Sequence, residues 1–249
     1  LFPFQEIKNF LANNDFIFAN LESPIIKGPE IRAGEMRFRA EENLAPLLKE
    51  LNFSVFSLAN NHLFDFGREG LLNTLRILEE NGLEYSGAGR DLKEAQELRI
   101  LEKKGIKIGL LSYLDKQFFS PEKQASFQKP GIAFVNEEIF QKIEEAKKEV
   151  NFLIISIHWG EEYQKEPYQK QKDLVYQLIK AGVDLIIGHH PHVIQPIEKY
   201  CFLNKEEHCG YVFYSLGNFV FDQMWSDQTR QAIALRVIFA PHAIRTFQI

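Results

Sequence analysis

Apolar runs closed by polar, metal-capable side chains recur four times along this chain. Phe16-Ile17-Phe18-Ala19 leads into Asn20-Leu21-Glu22, and Val55-Phe56-Ser57-Leu58 leads through Ala59 into Asn60-Asn61-His62. Further on, the run 152–157 leads into His158-Trp159-Gly160, and the run 183–187 leads into Gly188-His189-His190-Pro191-His192. Runs of this length and composition read as buried parallel strands. Between them lie apolar stripes at helical spacing. Ile7, Phe10 and Leu11 make a first, and Leu44, Leu47, Leu48 and Leu51 a second. Leu71, Leu75 and Leu78 make a third, stopped by Asn81-Gly82. Ile139, Ile143, Ala146 and Val150 precede the third apolar run; Leu174, Val175, Leu178 and Ile179, stopped by Gly182, precede the fourth. Helix followed by strand, repeated, is the pattern of an α/β fold.

Two regions break that cadence. Residues 98–101 and 106–111, joined through Lys103-Lys104-Gly105, read as a β-hairpin. From Val193 onward only strands are expected, at 194–197, 211–215 and 233–239. A mixed architecture follows: parallel strands bear the motifs, and antiparallel strands complete a second sheet. Residues 116–130 are polar and hold Pro121 and Pro130, which reads as a surface loop. There are no repeats, and one domain over residues 1–249 is the simplest organisation.

In open α/β sheets ligands bind beyond the carboxyl ends of the strands. Five of the seven histidines fall at these strand tips, beside a carboxylate and two carboxamides. His190 and His192 are two apart on an extended segment, so both imidazoles can reach one metal centre if the backbone bends to suit. His189 adjoins His190 and points the other way. His158 leaves the most apolar run, with Glu161 and Glu162 trailing it; a carboxylate there can hold the histidine or contact substrate. Trp159 reads as packing.

Asn60-Asn61-His62 offers an amide oxygen for a cation and an imidazole for proton transfer; the competing account is an asparagine-rich turn. Asp65 either orients His62 or caps the helix starting near Arg68, and the cap is the preferred reading. Glu22, with Asn20, is placed to supply an anionic ligand, against the alternative of a turn cap. After the 211–214 strand, Asn218 and Asp222 line the same end. Ser86-Gly87-Ala88-Gly89-Arg90 lacks the spacing of a phosphate loop and reads as a turn. No G-x-S-x-G elbow is present, and neither cysteine ends a predicted strand beside a histidine, so a serine or cysteine nucleophile is unsupported.

Composition narrows the partners. The chain has 249 residues, 45% of them hydrophobic, enough for a full core. A net charge of −5 without any Lys/Arg block argues against a nucleic-acid surface. No apolar run approaches the roughly 18–20 residues of a membrane helix. Cys201 and Cys209 flank a seven-residue stretch. They either close a hairpin as a disulfide or remain two thiols in a loop; a zinc site is not expected, and His208 reads as a solvated loop residue.

Taken in order, the motifs are Asn-Leu-Glu at 20–22, Asn-Asn-His with Asp65 and Gly67, and His-Trp-Gly with Glu162. Gly-His-His-Pro-His-Val with Gln195, and Ser-Leu-Gly-Asn-Phe with Asp222, complete the set. The chain resembles the CapA family of bacterial poly-γ-glutamate capsule synthesis proteins over about residues 15–230. That family is similar in fold to calcineurin-like metallophosphoesterases, which implies two packed mixed β-sheets flanked by helices, an αββα sandwich. The resemblance implies a metal set of Glu22, Asn61, His158, His190 and His192. Glu22 would stand where the superfamily usually has a bridging aspartate, and two divalent ions (Mn, Fe or Zn) would be held. His62, with Asp65, would act as the catalytic acid near the leaving group. Asn20, Asn60, Glu162, His189, Gln195, Asn218 and Asp222 would surround the ligands or contact substrate.

The family also opens with a strand ending in Gly-Asp, which this chain lacks. The chain starts at Leu1 rather than Met, so an upstream strand, and more of the last sheet beyond Ile249, are expected in the natural protein. By resemblance the activity would be metal-dependent hydrolysis or transfer on a phosphoester or anionic polymer. The setting would be the cell envelope, with a membrane anchor elsewhere in the full-length protein and capsule-assembly membrane proteins as partners. Two alternatives stand beside it: a non-catalytic polymer- or partner-binding subunit, and a γ-glutamyl amide hydrolase using the same cleft.

Overall fold

The computed structural model describes residues 3–28, 31, 34–203, 207–241 and 243–248. In chain order the first elements are α1 (Lys8–Ala12), β1 (Phe18–Asn20), α2 (Leu44–Glu50), β2 (Val55–Ser57) and α3 (Gly67–Glu80). They are followed by β3 (Glu84–Ser86), β4 (Ala88–Gly89), α4 (Leu92–Ala95), β5 (Arg99–Lys103), β6 (Ile106–Leu114) and β7 (Gly131–Ile132). Then come α5 (Glu138–Lys147), β8 (Phe152–His158), α6 (Gln169–Lys180) and β9 (Leu185–His189). The chain ends with β10 (Ile197–Leu203), β11 (Glu207–Phe213), β12 (Arg236–Ala240) and β13 (Ala243–Gln248). The architecture is mixed α/β with parallel and mixed sheets, as the alternating pattern implies. Two compact units are present: Leu1–Arg99 with Ser112–Phe134, and Ile100–Leu111 with Val135–Ile249.

The first unit is built on a three-stranded parallel sheet, β1-β2-β3, in which Phe18 pairs with Val55 and Val55 with Glu84. Helix α3 forms because Leu71, Leu75 and Leu78 fall on one face; all three are fully buried in the core with Phe56, Leu58 and Leu63. It stops at Asn81, and Gly82 takes a φ of +62°, which a side chain disfavours. The strands are shorter than their apolar runs. The 16–19 run becomes Phe18–Asn20, and the 55–58 run becomes Val55–Ser57. The Ser86–Arg90 turn contains the two-residue strand β4, which pairs antiparallel with β7. The loop 116–130 is confirmed apart from a 3-10 turn at Lys116–Phe118, and Phe127 is exposed.

The second unit is built on a six-stranded sheet, β10-β11-β9-β8-β6-β5. Strands β8, β9 and β11 run parallel, and β10 antiparallel to β11. Six of the seven residues of β8 are buried, so both of its faces are covered. Ile139, Ile143 and Ala146 of α5, and Val175, Leu178 and Ile179 of α6, supply the helical part of this core. Gly188 has a packing reason: a Cβ there would overlap the Tyr214 carbonyl and the Trp159 indole nitrogen.

The C-terminal expectations need correction. Residues 194–197 are not a strand; Ile194 makes only an isolated bridge to Leu216, and the strand begins at Ile197 and runs to Leu203. Cys201 and Cys209 are therefore not in a loop. They are directly opposed partners of the β10–β11 hairpin and form a disulfide. His208 lies in β11, part-buried, with its Nε2 3.1 Å from the Val183 carbonyl oxygen, so it is not a solvated loop residue. The 233–239 strand is Arg236–Ala240, and it pairs antiparallel with β13.

Candidate metal centre and acid–base pair

In the first unit, β1 and β2 end side by side, with Asn20 paired to Ser57. Asn60, fully buried, then fixes the turn that follows. Its Oδ1 accepts the amides of His62 (3.2 Å) and Leu63 (3.0 Å). Its Nδ2 donates to the Leu21 carbonyl (2.8 Å) and to Asn20 Oδ1 (3.3 Å). Asn20 in turn donates to Glu22 Oε2 at 2.9 Å. Of the two readings of the Asn60-Asn61-His62 knot, the asparagine turn is realised at Asn60. Asn60 is the turn former, whereas Asn61 Oδ1 is buried with no hydrogen-bond partner among the described residues. A buried amide oxygen left so is costly, and a cation is one chemistry that satisfies it.

His62 is buried, and its Nδ1 lies 2.8 Å from Asp65 Oδ2. That same oxygen accepts the Phe38 amide at 2.7 Å, and the Phe38 ring lies against the imidazole with centroids 3.9 Å apart. Asp65 does not cap the helix: α3 starts at Gly67 behind Phe66 with no side-chain cap. The preferred cap reading is therefore replaced by the orienting one. A carboxylate acceptor holds the proton on Nδ1 and leaves Nε2 as the exchanging nitrogen.

In the second unit, β8 and β9 end together, with His158 paired to His189. The chain then turns with His190 at φ +102° and His192 at φ +57°. Left-handed backbone at non-glycine residues is uncommon and strained. It is also how a His-x-His segment brings both imidazoles to one side. His158, His190 and His192 are all buried; the ring centroids of His158 and His190 are 4.9 Å apart, and those of His190 and His192 5.9 Å. His189 is not part of this array, and burial pushes its imidazole down to about 4, so it is neutral at neutral pH.

His192 Nδ1 faces Asn218 Oδ1 at 2.8 Å. Asn218 Nδ2 donates to Gln223 Oε1 (3.1 Å) and to the Thr229 carbonyl (3.0 Å). Glu162, half-buried, presents a carboxylate oxygen close to nitrogens of His190 and His192, the three atoms lying within 4.8 Å of one another. Tyr163 stacks near His192 with centroids 6.2 Å apart. Burial, and then the charge and hydrogen bond of Glu162, push the Tyr163 phenol up to about 12. Gln195 is buried and donates to the Gln164 carbonyl at 2.9 Å. Asp222 is exposed and joins none of these bonds; the neighbouring Gln223 takes the place expected for it. Trp159 packs as expected, fully buried with its Nε1 donating to the Tyr214 carbonyl at 3.0 Å.

Sequence reasoning missed Gln223, Tyr163 and Phe38. Only the buried-strand-then-loop context of the Ser-Leu-Gly-Asn-Phe motif pointed near Gln223, and an uncharged Gln beside an Asp draws no notice.

The family model described as "Bacterial capsule synthesis protein PGA_cap" matches residues 2–223. The chain is 32% identical to the capsule biosynthesis protein CapA of Bacillus anthracis over 90% of its length, and 32% identical to the PGA biosynthesis protein CapA of Bacillus subtilis (strain 168) over 99%. It spans 55% and 63% of the length of those two relatives. Among solved structures it is similar to the NAD nucleotidase of Haemophilus influenzae, with a TM-score of 0.50 at 18% identity, covering 84% of this chain and 36% of that one. The likeness is one of fold alone.

Proposed function

Because the chain belongs to the bacterial capsule synthesis protein family PGA_cap, we propose that it is a metal-dependent phosphoesterase-like hydrolase or transferase. Its role would lie in the synthesis, export or anchoring of poly-γ-glutamate or a related cell-surface polymer, at the cell envelope. The observation that carries this reading is the array of three buried histidines, His158, His190 and His192, at the tips of adjacent parallel strands. Imidazoles gathered in this way suit Mn, Fe or Zn. The strained turn at His190 and His192 supports the same reading, since strain of this kind concentrates at functional sites. Glu22 and Asn61, in the first unit, are proposed as metal ligands as well. The orphaned Asn61 oxygen supports that assignment.

Bound divalent cations would supply a water of lowered pKa as nucleophile at neutral pH. The chain's own residues divide the rest of the work. Asp65 holds the Nδ1 proton of His62 and stabilises the imidazolium, while Nε2 delivers a proton to the departing oxygen. Phe38 fixes the ring plane. Asn60 and Asn20 hold the turn and the Glu22 carboxylate in place.

The test is hydrolysis of a generic phosphodiester by chelator-treated and Mn-reloaded protein, with γ-glutamyl peptides run in parallel. Metal-dependent phosphodiester turnover, lost in the His190→Ala/His192→Ala variant, is the expected result. Cleavage of the peptides alone would replace this reading with amide hydrolysis. A metal-free protein whose double variant still supports polymer production would replace it with a binding subunit.

A further inference from the structure

We propose that Glu162 is itself a metal ligand, completing with His190 and His192 a three-ligand divalent-cation site inside the second unit. This rests on the metal-dependent reading above and goes past it, since the family resemblance leaves Glu162 beside substrate.

Distance is the first argument. One carboxylate oxygen of Glu162 and one nitrogen from each of His190 and His192 lie within 4.8 Å of one another. Ligand atoms about 2.0–2.2 Å from a shared tetrahedral ion are about 3.3–3.6 Å apart. The three groups therefore close on one ion with side-chain shifts of up to about an ångström. Two imidazoles and a carboxylate are also a donor set that first-row divalent metals favour.

The backbone supplies the second argument. Tyr163, the residue after Glu162, has a φ of +63°, and its amide donates to the Pro191 carbonyl at 2.8 Å. Pro191 sits between the two histidines. This bond ties the Glu162 segment to the His-x-His turn and keeps the carboxylate beside both imidazoles. An aromatic residue in left-handed backbone is a genuine outlier, and here it fixes a carboxylate in position.

Third, the tautomer of His192 is set for coordination. Asn218 Nδ2 donates to two acceptors, Gln223 Oε1 and the Thr229 carbonyl, which fixes which end of the amide faces the ring. The end facing His192 Nδ1 is therefore the oxygen, so the proton sits on Nδ1 and the lone pair on Nε2. A histidine held in this way by an outer partner is the usual arrangement for a metal ligand.

The competing account is an ion pair between Glu162 and an imidazolium, with no metal involved. Titration of the chelator-treated 249-residue chain with Co²⁺, followed by calorimetry and by visible absorption, separates the two. Wild-type protein is expected to bind Co²⁺ with d–d bands. Asn218→Leu should weaken binding roughly 10–100-fold, Glu162→Gln should weaken it further and change the bands, and the exposed control Glu166→Gln should do neither. If Glu162→Gln loses its near-UV dichroism, Glu162→Asp replaces it; shifted bands then support the ligand role and unchanged bands overturn it. Unaltered Co²⁺ affinity and spectrum in Glu162→Gln, with His190→Ala inactive in binding, would overturn the inference and leave the histidine centre standing. Conversely, Glu162-dependent Co²⁺ binding in a protein that hydrolyses no phosphodiester would remove the hydrolase reading and leave this site intact.

Discussion

Asp65 places one carboxylate oxygen 2.8 Å from His62 Nδ1, and the same oxygen accepts the Phe38 amide at 2.7 Å. One acidic group thus sets the tautomer of the proposed catalytic acid and pins the segment whose aromatic ring covers it. Asp65→Asn keeps an oxygen acceptor but removes the charge that stabilises the imidazolium. Turnover is expected to fall by about 10²-fold, with metal content and melting temperature close to wild type. Steady-state kinetics beside a thermal melt would check this; unchanged turnover would remove His62–Asp65 from the chemistry.

Asn60 makes four hydrogen bonds from a fully buried amide. Asn60→Ala leaves two backbone amides and a carbonyl with lost partners, and the cost is expected to be about 2–4 kcal/mol. Asn60→Asp is not a rescue, because a carboxylate cannot donate to the Leu21 carbonyl. Chemical denaturation of both variants measures the effect.

The Cys201–Cys209 bridge closes a short hairpin with a sequence separation of 8. On the chain-entropy account, a loop of this size contributes about 2–3 kcal/mol. The Cys201→Ser/Cys209→Ser variant should lose roughly that amount in a denaturant titration while retaining its metal. Loss of bound metal would tie the hairpin to the site, contrary to expectation.

Glu198 gives a pH dependence whose sign follows from its neighbours. Burial raises its pKa, but hydrogen bonds from Tyr200 (2.6 Å) and Tyr214 (3.1 Å) and the charge of Lys172 more than offset this, leaving it below the ordinary 4.5. A carboxylate depressed in the folded state contributes stability that is present above its unfolded pKa. That contribution is lost as pH falls through the folded value. Glu198→Gln should therefore narrow the stability difference between pH 7 and pH 3.5, as read by urea unfolding at both.

Much of the fold is legible in the sequence because its signals are local. The Leu71, Leu75 and Leu78 stripe specifies α3, and the near-continuous apolar run at 152–157 specifies a strand buried on both faces. What is not legible depends on contacts made across the fold. Asp65 three residues after His62 looks like a cap, and only the position of Phe66 before α3 shows that the helix starts too late for it. Asp222 draws attention by charge, whereas Gln223 does the bonding because the loop turns that side chain inward. The left-handed backbone at Tyr163 has no signature in residue type, and at His190 and His192 the modest enrichment of histidine there is too weak to read from sequence.

The central claim is that the buried histidines exist to hold metal. Elemental analysis of the purified chain, dialysed against excess Mn²⁺ or Zn²⁺ and then against metal-free buffer, tests it most directly. The account predicts about two ions per chain, with the His190→Ala/His192→Ala variant retaining markedly fewer at unchanged fold. Wild-type protein that retains no metal, or a double variant that retains as much as wild type, would contradict it.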